Sequence, residues 1–152
     1  MNIKPAALAF AALAGAAFVL PAQAQVKPDT LVKQRQSAMV LQGKYFGPMA
    51  GMAQGKIPYN QQVVVRNAAF LDALSKMAWD GFDPSTKGEK SAALPAIWSD
   101  NAKFRQAVER FESEATKLAQ VSKSGDEGAI KSQITAVGKT CAACHDDFRE
   151  KR

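Results

Sequence analysis

Cys141-Ala142-Ala143-Cys144-His145 gathers both cysteines and the only histidine of this 152-residue chain into five consecutive positions. Such residues can ligate a metal, cycle as a dithiol or hold a cofactor covalently. C-x-x-C-H is the attachment sequence of c-type haem, and its spacing has a physical reason. On a helix, residues i and i+3 project from one face, so both sulfurs can reach the two vinyl groups on one edge of a porphyrin. The adjacent imidazole then swings under the iron. Three other chemistries compete for the same residues. A thioredoxin-type redox pair wants a βαβ setting. A structural zinc site wants four ligands, with Asp146 or Asp147 joining Cys141, Cys144 and His145. A disulfide across two residues closes a tiny loop and stabilises little.

Composition narrows the field. One histidine excludes bis-histidine haem, HExxH proteases and His-rich zinc sites, and two cysteines cannot make a disulfide scaffold. Nearly half of the residues, 47%, are apolar, enough for a buried core in one domain. Basic residues exceed acidic ones 20 to 14. Acids are interleaved with them except at the Arg149, Lys151, Arg152 terminus, so a mixed-charge solvated surface is expected and nucleic acid is not. The positive balance can still attract an anionic partner.

The elements that must position the motif follow from periodicity. Residues 1–24 read as a cleaved export signal: Lys4, the small and apolar run Ala6–Leu20, then Ala22-Gln23-Ala24 before the expected cut. The run is shorter than the roughly 20 residues that span a bilayer, and no later segment is apolar enough. The mature chain, 25–152, is therefore expected to be periplasmic and not inserted in a membrane. A first helix is predicted from Asp29 to about Gln54, with Leu31, Ala38, Leu41, Tyr45, Met49 and Met52 on one face and a kink or break near Gly47 caused by Pro48. Asn60 is the predicted N-cap of a second helix, with Val63, Asn67, Phe70, Leu71, Leu74 and Met77 on one face. A crossover loop follows over Gly81–Pro95. Ser99 is the predicted cap of a third helix bearing Phe104, Ala107, Val108, Phe111, Ala115, Leu118 and Ala119. After Ser124-Gly125-Asp126 a fourth presents Ile130, Ile134, Val137, Cys141, Cys144 and Phe148. Nothing alternates long enough for a strand, so the fold class is all-α, an antiparallel four-helix bundle with the haem-attachment motif on its C-terminal helix.

A haem motif this late in a four-helix chain is similar to the class II c-type cytochromes, the cytochrome c′ family, from about Val32 to Lys151. The matching pieces, in order, are Val32-Lys33-Gln34-Arg35-Gln36-Ser37-Ala38-Met39, Gly55-Lys56-Ile57-Pro58-Tyr59, Pro95-Ala96-Ile97-Trp98-Ser99-Asp100 and Gly138–Arg149 around the motif. The resemblance implies one covalent haem c on Cys141 and Cys144, with His145 as proximal iron ligand. It places Arg35 near a haem propionate with Gln36 beside it, and Arg149 near His145. Without it, Arg35 reads as an exposed helix arginine and Arg149 as a surface residue at the chain end.

The sixth iron position decides function. The resemblance aligns Met39, one turn past Arg35, with the residue over the open haem face. If Met39 only packs there, the iron is five-coordinate and high-spin and takes NO or CO past a steric block. If its thioether binds, the protein is a low-spin electron carrier with His145/Met39 ligation. The loop Ala78–Pro84 resembles the high-spin branch of the family, which favours the first. A peroxidase-like enzyme lacks a distal histidine for acid–base work. The resemblance further implies an unidentified redox partner and a homodimer formed by the first two helices; Gly43, Gly47 and Gly51 read either as allowing close helix approach or as helix weakness beside Pro48.

Overall fold

The computed structural model describes residues 26–151, so the expected export signal, its cut after Ala24, and Arg152 lie outside the described residues. Four long helices carry the architecture: α1 (Pro28–Ala53), α2 (Gln61–Ser75), α4 (Asn101–Val121) and α5 (Glu127–Phe148). A single-turn helix α3 (Ala96–Ser99) and two 3₁₀ turns, Trp79–Phe82 and Pro84–Gly88, fill the connection from α2 to α4. Among the described residues the only strand-type pairing is an isolated antiparallel bridge between Ala93 and Arg149. Packing runs α1 on α2, α2 on α4, α4 on α5 and α5 back on α1. Short turns after α1 and after α4 make each of those pairs antiparallel, as the sequence implied.

Local chemistry explains the boundaries. Asn60 accepts from the Val63 N–H at 3.0 Å and Asp126 from the Ala129 N–H at 3.0 Å, each satisfying a helix-start donor. The turns that follow α1 and α4 use Gly55 and Gly125 at φ +70° and +79°, where a side chain would be strained. Between these caps an aliphatic core forms from Met49, Met52, Val64, Leu71, Leu118, Ile130, Ile134 and Val137. Burying each such side chain contributes about 1.5–3 kcal/mol, which makes this core the main anchor of helix register. Buried amides add direction: Asn67 donates to the Tyr45 carbonyl at 3.2 Å and Gln133 to the Glu114 carbonyl at 3.1 Å.

Several expectations are corrected. α1 runs unbroken through Pro48, because the proline is exposed while Met49 and Met52, at 0% and 5% exposure, hold the last turn against the core. Asp100, not Ser99, caps the third long helix, accepting from the Lys103 N–H at 3.3 Å; Ser99 is the last residue of α3. Phe70, Met77 and Leu41 are exposed. The buried row of α2 is Val64, Asn67, Ala68, Leu71 and Ser75, rotated from the predicted row by about one residue. Part of the expected crossover loop is wound into 3₁₀ turns.

Those turns lie directly on α1. A Cβ at Gly81 would stand 2.6 Å from the Arg35 Cβ and 2.7 Å from the Leu31 carbonyl oxygen, both parts of a helix that cannot easily yield. Gly81→Ala is therefore expected to cost about 1–3 kcal/mol, the usual range for overpacking. A chemical-denaturation midpoint unchanged from wild type would show that the crossover does not need this close approach.

Candidate haem-attachment site

α5 delivers the motif at its C-terminal end. Cys141 and Cys144 are both half-buried free thiols on its inward side. Cys141 packs against the aliphatic core, whereas Cys144 packs against a second cluster of Ile97, Phe104, Ala107, Val108 and Phe148. Burial raises the pKa of Cys141, and burial with the nearby Cys141 and Asp147 pushes Cys144 up to about 11. Neither thiol is activated as the low-pKa thiolate of a reactive redox pair would be. Among the described residues no three His, Cys, Asp or Glu side chains converge as metal ligands. His145 reaches the surface of the last turn, its pKa lowered by partial burial and then by the Arg149 cation, with Asp146 opposing. The neutral imidazole that results is the form that binds a metal.

Arg35 departs from the plain reading of an exposed helix arginine. It is 3% exposed. Its Nη1 donates to the Gly81 carbonyl at 2.5 Å and to Thr86 Oγ1 at 2.9 Å, and its Nη2 to Ser91 Oγ at 2.9 Å. The guanidinium also lies 4.5 Å from the Phe82 ring centroid. All these partners are neutral, and among the described residues no carboxylate is within ion-pair distance of it. Gln36 is exposed beside it. Met39, the next turn of α1, is half-buried and belongs to neither cluster. Of the other methionines among the described residues, Met49 and Met52 are locked in the aliphatic core and Met77 is 61% exposed.

Arg149 stands at the end of the helix that carries His145. It is the extended residue that ends α5, its N–H donating to the His145 carbonyl at 3.1 Å. Its charge nonetheless stays close enough to depress the His145 pKa.

Sequence reading missed Trp79. Its ring packs against both clusters, near Phe82, Phe104 and Phe111. Its indole N–H is buried without an acceptor among the described residues. A buried donor left unpaired is costly, so this position asks for an acceptor. A tryptophan between two helical segments carries no periodic signal that could have marked it. Together the aromatic lining, the unpaired indole N–H, the buried cation and the paired thiols fit a flat apolar group with an acidic edge.

Comparison with known proteins agrees. The family model described as Cytochrome C′ matches residues 30–149. The cytochrome c′ of Rubrivivax gelatinosus is 41% identical over 126 residues, covering 82% of this chain and 98% of the relative. Its crystal structure superposes with a TM-score of 0.78. Cytochrome c prime from Shewanella frigidimarina gives 0.80 at 33% identity, covering 84% of this chain and 99% of that one. The nitric oxide complex of a leucine-to-alanine variant of the Alcaligenes xylosoxidans protein gives 0.77 at 37% identity, with the same 84% and 99% coverage. Motif, bundle and a match across nearly the whole described chain converge: this protein belongs to the cytochrome c′ family, whose cofactor is haem c.

Proposed function

We propose that this protein is a periplasmic haem protein with five-coordinate, high-spin iron that binds NO and CO behind a steric block formed by Met39, and that it can also pass electrons to a redox partner. The observation that carries this reading is the placing of Met39. It is the one mature methionine that is neither fixed in the core nor largely exposed, and it sits one turn from the buried Arg35. Haem c, when bound, supplies an iron that takes a diatomic ligand or an electron. Cys141 and Cys144 would hold the group by thioethers, and His145 would present its neutral imidazole as proximal ligand. Arg35, with Gln36 at its side, and the Trp79 N–H would face the acidic edge. Arg149 would keep a positive charge next to the proximal imidazole.

The nitric oxide complexes among the structural neighbours support the gas-binding half of this reading. Export rests on the sequence of residues 1–24 and on the fact that c-type haem is attached beyond the membrane. No helix among the described residues is long and apolar enough to cross a bilayer. With a single histidine committed to iron, no second imidazole remains for acid–base work on a peroxide, and an enzymatic role has no support in this chain.

The ferric protein is expected to give a high-spin or spin-admixed EPR signal that Met39→Leu leaves nearly unchanged. A pure low-spin signal that becomes high-spin in Met39→Leu would overturn this and leave an electron carrier with His145/Met39 ligation. The chemical basis of that alternative is the unbranched methionine side chain, whose three rotatable bonds let a thioether adapt to a neighbouring group.

The α1–α2 face supports a homodimer. Val40 and Phe70 are 71% and 45% exposed, Tyr45 meets Phe70 at a 4.8 Å ring separation, and the space beside Gly43 and Gly47 is open. Sedimentation should therefore give twice the monomer mass, and Val40→Lys with Phe70→Lys should shift it to the monomer. A wild-type protein that sediments as a monomer rules the dimer out.

A further inference from the structure

The crossover between α2 and α4 does more than return the chain. Ser91 accepts from Arg35 Nη2 at 2.9 Å and from the Ala93 N–H at 3.3 Å with the same hydroxyl oxygen. Ala93 then faces Arg149 across the antiparallel bridge. The Leu94 N–H donates to the Phe148 carbonyl at 3.0 Å, and the Glu150 N–H to the Ala92 carbonyl at 2.9 Å. Arg149 closes the series by donating to the His145 carbonyl. Hydrogen bonds joined by short stretches of covalent backbone thus lead from α1, one turn before Met39, to the last turn of α5, where the Arg149 N–H makes the helical bond to the His145 carbonyl.

From this we infer that residues 91–94 are a strap that fixes the last turn of α5, and that Ser91 is a positioning residue for the His145 imidazole. The inference rests on the reading of His145 as the proximal ligand. Helix ends fray because their last carbonyls lack intrahelical partners. The last turn of α5 is the turn that carries His145. Here the frayable end is pinned from outside by Ala92 and Leu94, while Phe148, 4% exposed, is driven into the aromatic cluster against Phe104. The strap in turn is held to α1 by one hydroxyl. A neutral hydroxyl suits this place because its single oxygen can accept from the guanidinium and from a backbone N–H at once. The arrangement ties the element bearing the proximal ligand to the element bearing the residue over the opposite face. A shift of α1 at Arg35 therefore reaches the last turn of α5 through the Ser91 hydroxyl and the backbone of the strap without passing through the bundle core.

The test compares Ser91→Ala, Ser91→Thr and, as a control in the same crossover, Ser85→Ala in the haem-loaded protein. Ser85 is exposed, so its loss leaves the strap intact. In Ser91→Ala, the Leu94, Arg149 and Glu150 amides should exchange roughly tenfold faster, the scale set by one lost hydrogen bond with a charged partner. The iron–histidine stretching band of the ferrous protein should broaden and shift in Ser91→Ala and stay at its wild-type position in Ser91→Thr. Wild-type exchange in Ser91→Ala would overturn the strap. Faster exchange with an unmoved iron–histidine band would overturn the positioning role. Failure of the underlying reading looks different: the wild-type ferrous protein would show no iron–histidine stretching band before any variant is compared.

Discussion

The structure turns on a buried cation. Arg35 is withdrawn from water with three neutral oxygens and one aromatic ring as its company. Burial lowers its pKa, yet a guanidinium stays charged at any ordinary pH. Taking such a charge from water is expensive unless it is well hydrogen-bonded. That cost fixes the crossover, because the Gly81 carbonyl, Thr86 and Ser91 must all converge on one side chain from positions 46 to 56 residues away. It requires glycine at 81, where the backbone comes too close for a Cβ. Neutral acceptors satisfy hydrogen-bond geometry but not net charge, so an anionic group at this end of the bundle is the partner that electrostatics still lacks.

How much of this was legible beforehand depended on range. C-x-x-C-H was readable because its chemistry is contained within one helical turn. The Asn60 cap and the Gly125 turn were readable for the same reason, each being a local competition between side chain and backbone. Faces of helices were read less well. Phe70 looked like core by type and spacing, yet α2 buries Val64, Ala68 and Leu71, and only the position of α1 and α4 decides that rotation. At Pro48 the helix is not broken, since tertiary packing of Met49 and Met52 holds the turn that follows. Ser99 was a plausible cap, but a one-turn helix ahead of it moved the start of α4 to Asp100. Trp79, Thr86 and Ser91 could not be found at all, since their roles are defined by partners far away in sequence.

Cys141 and Cys144 show why the motif belongs where it is. The bundle has two unlike halves. Its aliphatic half contains Met49, Leu71, Leu118 and Ile130 and holds all four long helices in register. Its other half is aromatic, with Phe82, Phe104 and Phe148 in edge-to-face contact and Trp79 reaching into both. α5 crosses from one to the other between Val137 and Phe148. The two thiols straddle that boundary, Cys141 on the aliphatic side and Cys144 on the aromatic side. A helix fixed at its start by aliphatic packing can therefore present an i, i+3 pair beside the aromatic cluster without depending on that cluster for its own stability. Ring edges and faces suit a flat conjugated group, because offset and T-shaped contacts both remain available to it. His145 needs more than this, since it lies where the aliphatic core no longer reaches. The end of its helix is held instead by hydrogen bonds that Phe148 and Glu150 make with the crossover, and the crossover is tied through Ser91 to the same buried guanidinium.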